Sequence, residues 1–183
     1  MAKSQNYHHG DLRNAIINAA IAILDEKGVE GLTLRQCALR AGVSHGAPSH
    51  HFGDMRGLTT ALAARGFAML TEEMTISGDV DMPAIGIAYV RFALANPGLY
   101  SVMFRADLLN PNDADLKASG GEAYGVLAAA VARQYPSDEA EEAAMRDAMW
   151  SLVHGYASLV MAGEIDMPDD VERAVISLVR ALT

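Results

Sequence analysis

Three histidines stand within the stretch GVSHGAPSHHF (residues 42–52), and imidazole side chains are common metal ligands. Zinc ligands on a helix usually occupy positions i and i+4, on one face. His45, His50 and His51 are instead separated by gaps of five and one, which spreads the imidazoles around a helix. We therefore predict no metal and no cofactor. Imidazoles that face phosphates or base edges fit this spacing better than imidazoles that share one metal.

Other patterns that indicate catalysis are missing from the sequence. It has no Gly-rich phosphate loop, no Ser-His-Asp spacing with a nucleophile elbow and no paired Glu-X-X-His motifs. The single cysteine, Cys37, excludes an intramolecular disulfide and suits a reducing compartment. At its position on a predicted helix it is either a buried structural thiol or a redox switch. We predict that the protein is not an enzyme.

The amino terminus and the apolar runs indicate where the protein works. The opening residues, MAKSQNYHHGDLRN, contain no apolar segment of a signal peptide. No apolar run reaches the roughly 18–20 residues that a membrane-spanning helix needs. We therefore expect a soluble, cytoplasmic protein.

The three histidines lie in a segment that we predict to form two short helices joined by a tight turn. Thr33 and Gln36 form a capping box that begins the first of these helices, and Gly42 ends it. Ser44 is predicted to cap the second helix, and Asp54 to cap the longer helix that follows. Two short helices joined by a turn that contains glycine are typical of a helix-turn-helix motif.

Helical periodicity continues along the rest of the chain. Apolar residues recur at spacings of three and four, and no segment shows the alternation of a strand. Asp11 is predicted to cap the first helix and Gly28 to end it. Pro83 marks a later helix start, Asn96-Pro97 a break, and Ser137 the cap of a long helix. The pattern predicts an all-α protein of about nine helices.

Charge is distributed unevenly along the sequence. The chain has a formal net charge of −9, yet residues 1–65 contain seven Lys/Arg against five Asp/Glu and five of the six histidines. Such asymmetry is typical of a nucleic-acid-facing end on an acidic body, although chance clustering remains open at this stage.

The stretch LRQCALRAGVSHGAPSHHFGDMRGL resembles the DNA-binding signature of the TetR family of transcriptional regulators. Two later stretches, YVRFALANPGLYSVMF and WSLVHGYASLVMAG, resemble a TetR subgroup whose C-terminal domain is named for its Trp, His and Gly, here Trp150, His154 and Gly155. The resemblance implies a DNA-binding domain of three helices over residues 1–54, a connecting helix over 55–76, and an effector-binding and dimerisation domain over 77–183.

The resemblance also implies a function. The expected protein is a ligand-responsive repressor that binds a palindromic double-stranded operator as a homodimer through its last two helices and is released by a small molecule. The residues expected at the DNA are Thr33, Arg35, Ser44, His45, Gly46, Ala47, Ser49, His50, His51 and Arg56. Those expected at an effector pocket are Tyr89, Phe92, Met103, Phe104, Tyr124, Trp150 and His154, with a plain core role for His154 equally open.

Two positions depart from the family pattern. Ser49 stands where the family usually has a tyrosine that contacts a DNA phosphate, and Met55 where it usually has a lysine. Arg56 lies beside Met55 but points about 100° away around a helix. DNA binding is therefore expected to be weaker, or to rely on Arg35, Arg40, Arg56 and the histidines. The alternative function is a helical ligand-binding or interaction protein whose DNA binding is weakened or lost.

Overall fold

The computed structural model describes residues 9–76, 78, 81–134 and 138–182, with the side chains of 9–11 and 182 left aside. Within these ranges the chain forms nine α-helices and two short 3₁₀ turns, with no strand. The predicted all-α fold is confirmed. The helices are α1 (His9–Lys27), α2 (Leu34–Ala41), α3 (Ala47–Phe52), α4 (Met55–Thr75), α5 (Met82–Ala95), α6 (Pro97–Met103), α7 (Ala114–Gln134), α8 (Glu139–Met161) and α9 (Val171–Leu182).

Most of the predicted helix boundaries follow from the residues that were expected to set them. The Gln36 amide donates to Thr33 Oγ1 over 3.1 Å at the start of α2, and the Gly57 amide donates to the Asp54 carboxylate over 2.8 Å at the start of α4. Gly42 ends α2 with φ 66° and ψ 31°, a left-handed conformation that favours glycine. Asn96 follows the last residue of α5.

Three predicted caps are wrong. Gly46, not Ser44, is the N-cap residue of α3, because the chain first makes a turn in which the Ala47 amide donates to the Ser44 carbonyl over 3.0 Å. Helix α1 begins at His9, before Asp11, so Asp11 does not precede its first turn. Asp138 caps α8 through the amides of Ala140 and Glu141, while Ser137 lies outside the described residues.

The helices pack into two compact units, of which the first holds residues up to 65 together with 98–116. Its core is formed by apolar side chains of α1, α2, α4 and α6, among them Ile16, Ala20, Leu24, Cys37, Ala38, Leu58, Leu62, Leu99, Val102 and Met103. Cys37 is fully buried, and desolvation raises the pKa of its thiol. This burial agrees with the structural interpretation of Cys37.

Residues 98–116 belong to the first unit because α6 and the loop after it pack directly on α1 and α4. A Cβ at Gly98 would lie within 2.8 Å of Leu24 and Asp25 on α1, so only glycine permits this close approach. Thr59 Oγ1 donates to the Leu108 carbonyl over 2.6 Å, and the Asn110 amide donates to Thr60 Oγ1 over 2.9 Å. Sequence periodicity does not reveal such contacts, and the functional division at residues 54 and 77 stays a prediction.

The second unit comprises residues 66–97 and 117 onwards, and α5 packs in it against both α8 and α9. Gly86 makes the approach possible, since a Cβ there would lie 3.0 Å from Val175 of α9 and 3.3 Å from Val153 of α8. The core is mostly apolar and includes Met82, Ile85, Tyr89, Phe92, Val131, Met149, Val153, Val175 and Val179. No helix in the described part of the chain is long and apolar enough to cross a bilayer.

Candidate nucleic-acid interface

The turn between α2 and α3 and the outer face of α3 present most of the residues predicted to meet DNA. Ser44, His45 and Gly46 are exposed on the turn, and Ser49 and His50 are exposed on α3. His51 is half-buried, and its ring lies tilted beside that of Phe52, with ring centroids 6.2 Å apart. One side of α3 and the turn before it therefore form a short polar surface, built mostly from small residues.

Ala47 does not fit this surface. Its side chain is 8% exposed, and the neighbouring Pro48 is buried as well. Both residues pack inward at the first turn of α3, where proline is tolerated because the early amides of a helix lack intrahelical acceptors. The Ala47 side chain therefore offers little surface to DNA, and the smooth outer surface is provided by Gly46 and Ser49. A contact between Ala47 and DNA stays a prediction.

Two of the three arginines expected to compensate for Ser49 and Met55 are engaged within the first unit. Arg40 on α2 donates to both carboxylate oxygens of Glu26 on α1, each over 2.6 Å. This pair lowers the pKa of Glu26, chiefly through the hydrogen bond from Arg40. Arg56 donates to the Asp107 carbonyl over 3.1 Å. Both arginines are partly or fully exposed, yet their guanidinium groups already have protein partners.

Arg35 differs from these two arginines. It is exposed on α2, and neither an ion pair nor a hydrogen bond joins it to the residues that the structure describes. Thr33 is exposed as well, but its hydroxyl oxygen already accepts the capping hydrogen bond. Arg35 is therefore the cation on α2 whose full donor set is available to a phosphate.

A further arginine contact was not predicted from the sequence. The guanidinium of Arg13 on α1 lies over the ring of Phe52, 5.3 Å from its centroid. A cation over an aromatic face is attracted by the ring's quadrupole, so this contact holds the last residue of α3 against α1. Arg13 and Phe52 are 39 positions apart, so helical periodicity does not connect them. Only the packing of α1 on α3 reveals the contact.

The histidine cluster does not form a metal site in the described residues. His50 and His51 lie edge to face with centroids 5.5 Å apart. No three His, Cys, Asp or Glu side chains among those described are grouped closely enough to hold a metal ion.

Within the second unit, two of the predicted effector residues form a polar pair. The Tyr89 hydroxyl on α5 and Nδ1 of His154 on α8 are joined by a hydrogen bond of 2.8 Å. Tyr89 is buried and His154 half-buried, and desolvation lowers the pKa of His154. This lowering favours the neutral imidazole, which has one ring nitrogen that donates and one that accepts.

Two further predicted residues lie side by side on α7 and α8. The ring centroids of Tyr124 and Trp150 are 6.1 Å apart, and each residue is 38% exposed. Arg146, which the sequence analysis did not select, places its guanidinium 4.8 Å from the centroid of Tyr124. Its Nε is buried and has no hydrogen-bond partner among the described atoms. An i, i+4 spacing of Arg146 and Trp150 on α8 could have pointed to this cluster.

The remaining predicted effector residues are placed differently. Phe92 is buried in the core of the second unit, whereas Met103 and Phe104 belong to the first. The second unit also contains an open cavity of about 450 Å³. Thr71, Glu122, Gly125, Val126, Ala129 and Arg133 line it, and none of these six was predicted. Gly125 on α7 could have pointed to this cavity, because a glycine within a helix leaves space beside it.

Two family descriptions match this chain in sequence. Residues 16–62 match the description "Bacterial regulatory proteins, tetR family", and residues 82–182 match "Tetracyclin repressor-like, C-terminal domain". The HTH-type transcriptional repressor AcnR of Corynebacterium efficiens is 31% identical over 157 residues, which cover 84% of this chain and 79% of AcnR. The uncharacterized HTH-type transcriptional regulator YobS of Bacillus subtilis is 27% identical over 168 residues, covering 88% and 85%.

A solved structure is similar over nearly the full length. A protein of unknown function from Rhodococcus sp. RHA1 superposes with a TM-score of 0.77 at 30% identity, covering 95% of this chain and 94% of the other. The two matched descriptions together span the surface around α3 and the helices that carry Tyr89 and His154.

Proposed function

The chain belongs to the TetR family of bacterial regulatory proteins, whose members are transcriptional regulators, and we propose that it is a repressor that binds its operator as a homodimer and leaves it when a small molecule binds the second unit. The observation that carries the proposal is the exposed face of the turn and of α3. Ser44, His45, Gly46, Ser49 and His50 are presented together while Pro48 and Ala47 anchor the helix. A helix presented in this way can enter the major groove.

Two groups of exposed residues, on the turn with α3 and at the start of α2, support different roles at the DNA. Exposed imidazoles can donate or accept hydrogen bonds at base edges, so His45 and His50 are the proposed base-reading residues. Arg35, Thr33 and Ser44 are the proposed phosphate-positioning residues. Arg56 and Arg40 play a lesser part, because each already donates to a protein oxygen.

An apolar seam on the last two helices supports the homodimer. Ala148, Leu152, Gly155 and Leu159 recur on α8 at spacings of four, three and four, beside the buried face of that helix. Leu159 is 44% exposed, and a Cβ added at Gly155 would meet nothing within 4 Å. On α9 a similar row, with spacings of three, four and three, consists of Val171, Ala174, Leu178 and Ala181. Two such helices from each protomer can form a four-helix bundle.

The proposed effector site lies around Tyr89 and His154, with Tyr124, Trp150 and Arg146 as further contacts. A few polar groups among aromatic and apolar side chains are typical of small-molecule sites. The partly exposed rings can stack on a planar ligand, and the buried Nε of Arg146 can donate to it. Trp150, His154 and Gly155 on α8 also support assignment to the Trp-His-Gly subgroup, which we propose on these residues.

The proposed function is tested by a gel shift of the purified protein on the DNA upstream of its own gene, at several salt concentrations. A specific, salt-dependent shift that a small molecule abolishes is expected. Compounds are first screened by thermal stabilisation, since a ligand that binds only the folded protein raises the unfolding temperature. A control on scrambled DNA of equal length separates operator binding from general electrostatic attraction.

The alternative, a ligand-binding protein with lost DNA binding, rests on Ser49, Met55 and the engaged Arg40 and Arg56. If compounds stabilise the protein but no DNA is shifted specifically even at low salt, the alternative replaces the repressor function for that DNA. If neither occurs, the proposed function is wrong.

A further inference from the structure

A polar cleft in the first unit is formed by α1, α4 and the first turn of α7, and neither DNA reading nor the effector site accounts for it. Its volume is about 430 Å³, within the range of small-molecule sites, about 300–1,000 Å³. We propose that this cleft binds a small phosphorylated molecule. Its polar lining consists of two guanidinium groups, two carboxamides and one carboxylate, from Arg13, Arg65, Asn14, Asn18 and Asp115.

Helical spacing brings these groups together. On α1 the residues at positions 13, 14, 17 and 18 share one face, and on α4 the residues at positions 61, 64 and 65 share another. Ala61 and Ala64 are small, and together with Ile17 they leave space between the polar side chains. The cleft therefore combines charged and amide side chains with a small apolar surface.

The net positive charge of the lining favours an anion. Arg13 and Arg65 carry two positive charges against the single negative charge of Asp115, in a chain whose net charge is −9. Guanidinium groups bind phosphate oxygens with two parallel hydrogen bonds, and the carboxamide NH₂ groups of Asn14 and Asn18 are further donors. A phosphate monoester carries a charge of about −1.5 to −2 at pH 7. The two arginines therefore bind it more strongly than they would bind a ligand with a single carboxylate.

Asp115 selects the rest of the ligand. A carboxylate accepts hydrogen bonds, so it repels a second phosphate and favours hydroxyl or amino groups. The cleft is also larger than a phosphate needs. The preferred ligand is therefore a phosphate ester that carries hydroxyl groups, and inorganic phosphate alone should bind more weakly.

Calorimetric titration of the full chain at constant ionic strength tests this proposal, with inorganic phosphate and glycerol 3-phosphate as probes. We expect saturable binding of one molecule per chain, tighter for the ester. Arg65→Gln should weaken binding about tenfold or more, because a charge-assisted pair is lost. Arg65 is chosen over Arg13 because Arg13 also stacks on Phe52. The control is Lys117→Gln, which removes one positive charge from an exposed position of α7 outside the cleft.

A second variant tests whether the space in the cleft is needed, independently of its charge. Ala64→Leu should fill the space and abolish ester binding while leaving the net charge unchanged. The proposal is overturned if neither probe saturates the wild type, if Lys117→Gln weakens binding as much as Arg65→Gln, or if Ala64→Leu has no effect. It is also overturned if the probes do not bind but Arg65→Gln weakens binding to a random DNA duplex, since the arginines then contact the DNA backbone. The first three outcomes concern the probes alone, so this proposal and the repressor function can fail separately.

Discussion

The Tyr89 hydroxyl lies 2.8 Å from Nδ1 of His154, so a polar contact joins α5 to α8 within a mostly apolar core. A buried hydroxyl or imidazole without a partner would cost about 1–3 kcal/mol, and pairing the two removes that cost. The same pair gives an incoming ligand two groups with which it can exchange hydrogen bonds. A core role and an effector role for His154 are therefore compatible.

Burial of His154 predicts a pH dependence of stability. Its folded pKa lies below the ordinary value of 6.5, so the unfolded chain binds the proton more readily. This contribution to the free energy of unfolding is fully present above about pH 6.5 and is lost as the pH falls through the folded pKa. Urea unfolding between pH 5 and 8 should show this loss in the wild type, and His154→Gln should lack that part of the slope. Parallel curves for both proteins would contradict the prediction.

The two departures from the family pattern predict a gain of DNA affinity on reversal. Ser49 is exposed on α3, and Met55 is the first residue of α4. The double variant Ser49→Tyr with Met55→Lys should bind operator more tightly, and its logarithmic salt slope should steepen by about one unit for the added cation. Fluorescence anisotropy between low and moderate salt measures both quantities. Unchanged affinity and slope would mean that these positions do not face phosphates.

His45 and Arg35 should affect DNA binding in different ways. His45→Ala removes a proposed base contact, so it should weaken operator binding by about 1–3 kcal/mol and leave random DNA almost unaffected. Arg35→Gln removes a proposed phosphate contact, so it should weaken binding to both DNAs equally. Competition titrations with operator and scrambled duplexes distinguish the two patterns. Equal losses on both DNAs for His45→Ala would place His45 on the backbone instead.

The apolar seam predicts that Leu159 is essential for dimerisation. Leu159→Glu buries a charge twice in a symmetric interface and should raise the dimer dissociation constant by roughly 100-fold or more. Light scattering after size-exclusion chromatography at micromolar concentration measures the mass. Leu39→Glu, the same change at an exposed leucine of the first unit, is the matched control. If both variants stay dimeric, the interface lies elsewhere.

The sequence by itself determined the helical fold and the position of the helix-turn-helix motif. Thr33, Gly42 and Asp54 act through neighbours three or four residues away, so their effects are legible in a linear sequence. The later helices were predictable for the same reason, because a 3.6-residue period is a local property.

Tertiary structure alone decided which faces and partners those helices have. Pro48 and Ala47 turn inward, Arg40 reaches Glu26, Arg13 covers Phe52, and Gly98 lets α6 approach α1. Each of these depends on how one helix packs against an element distant in sequence, and no periodicity encodes that angle or distance. The same holds for the cleft around Arg65, whose residues come from three separate helices.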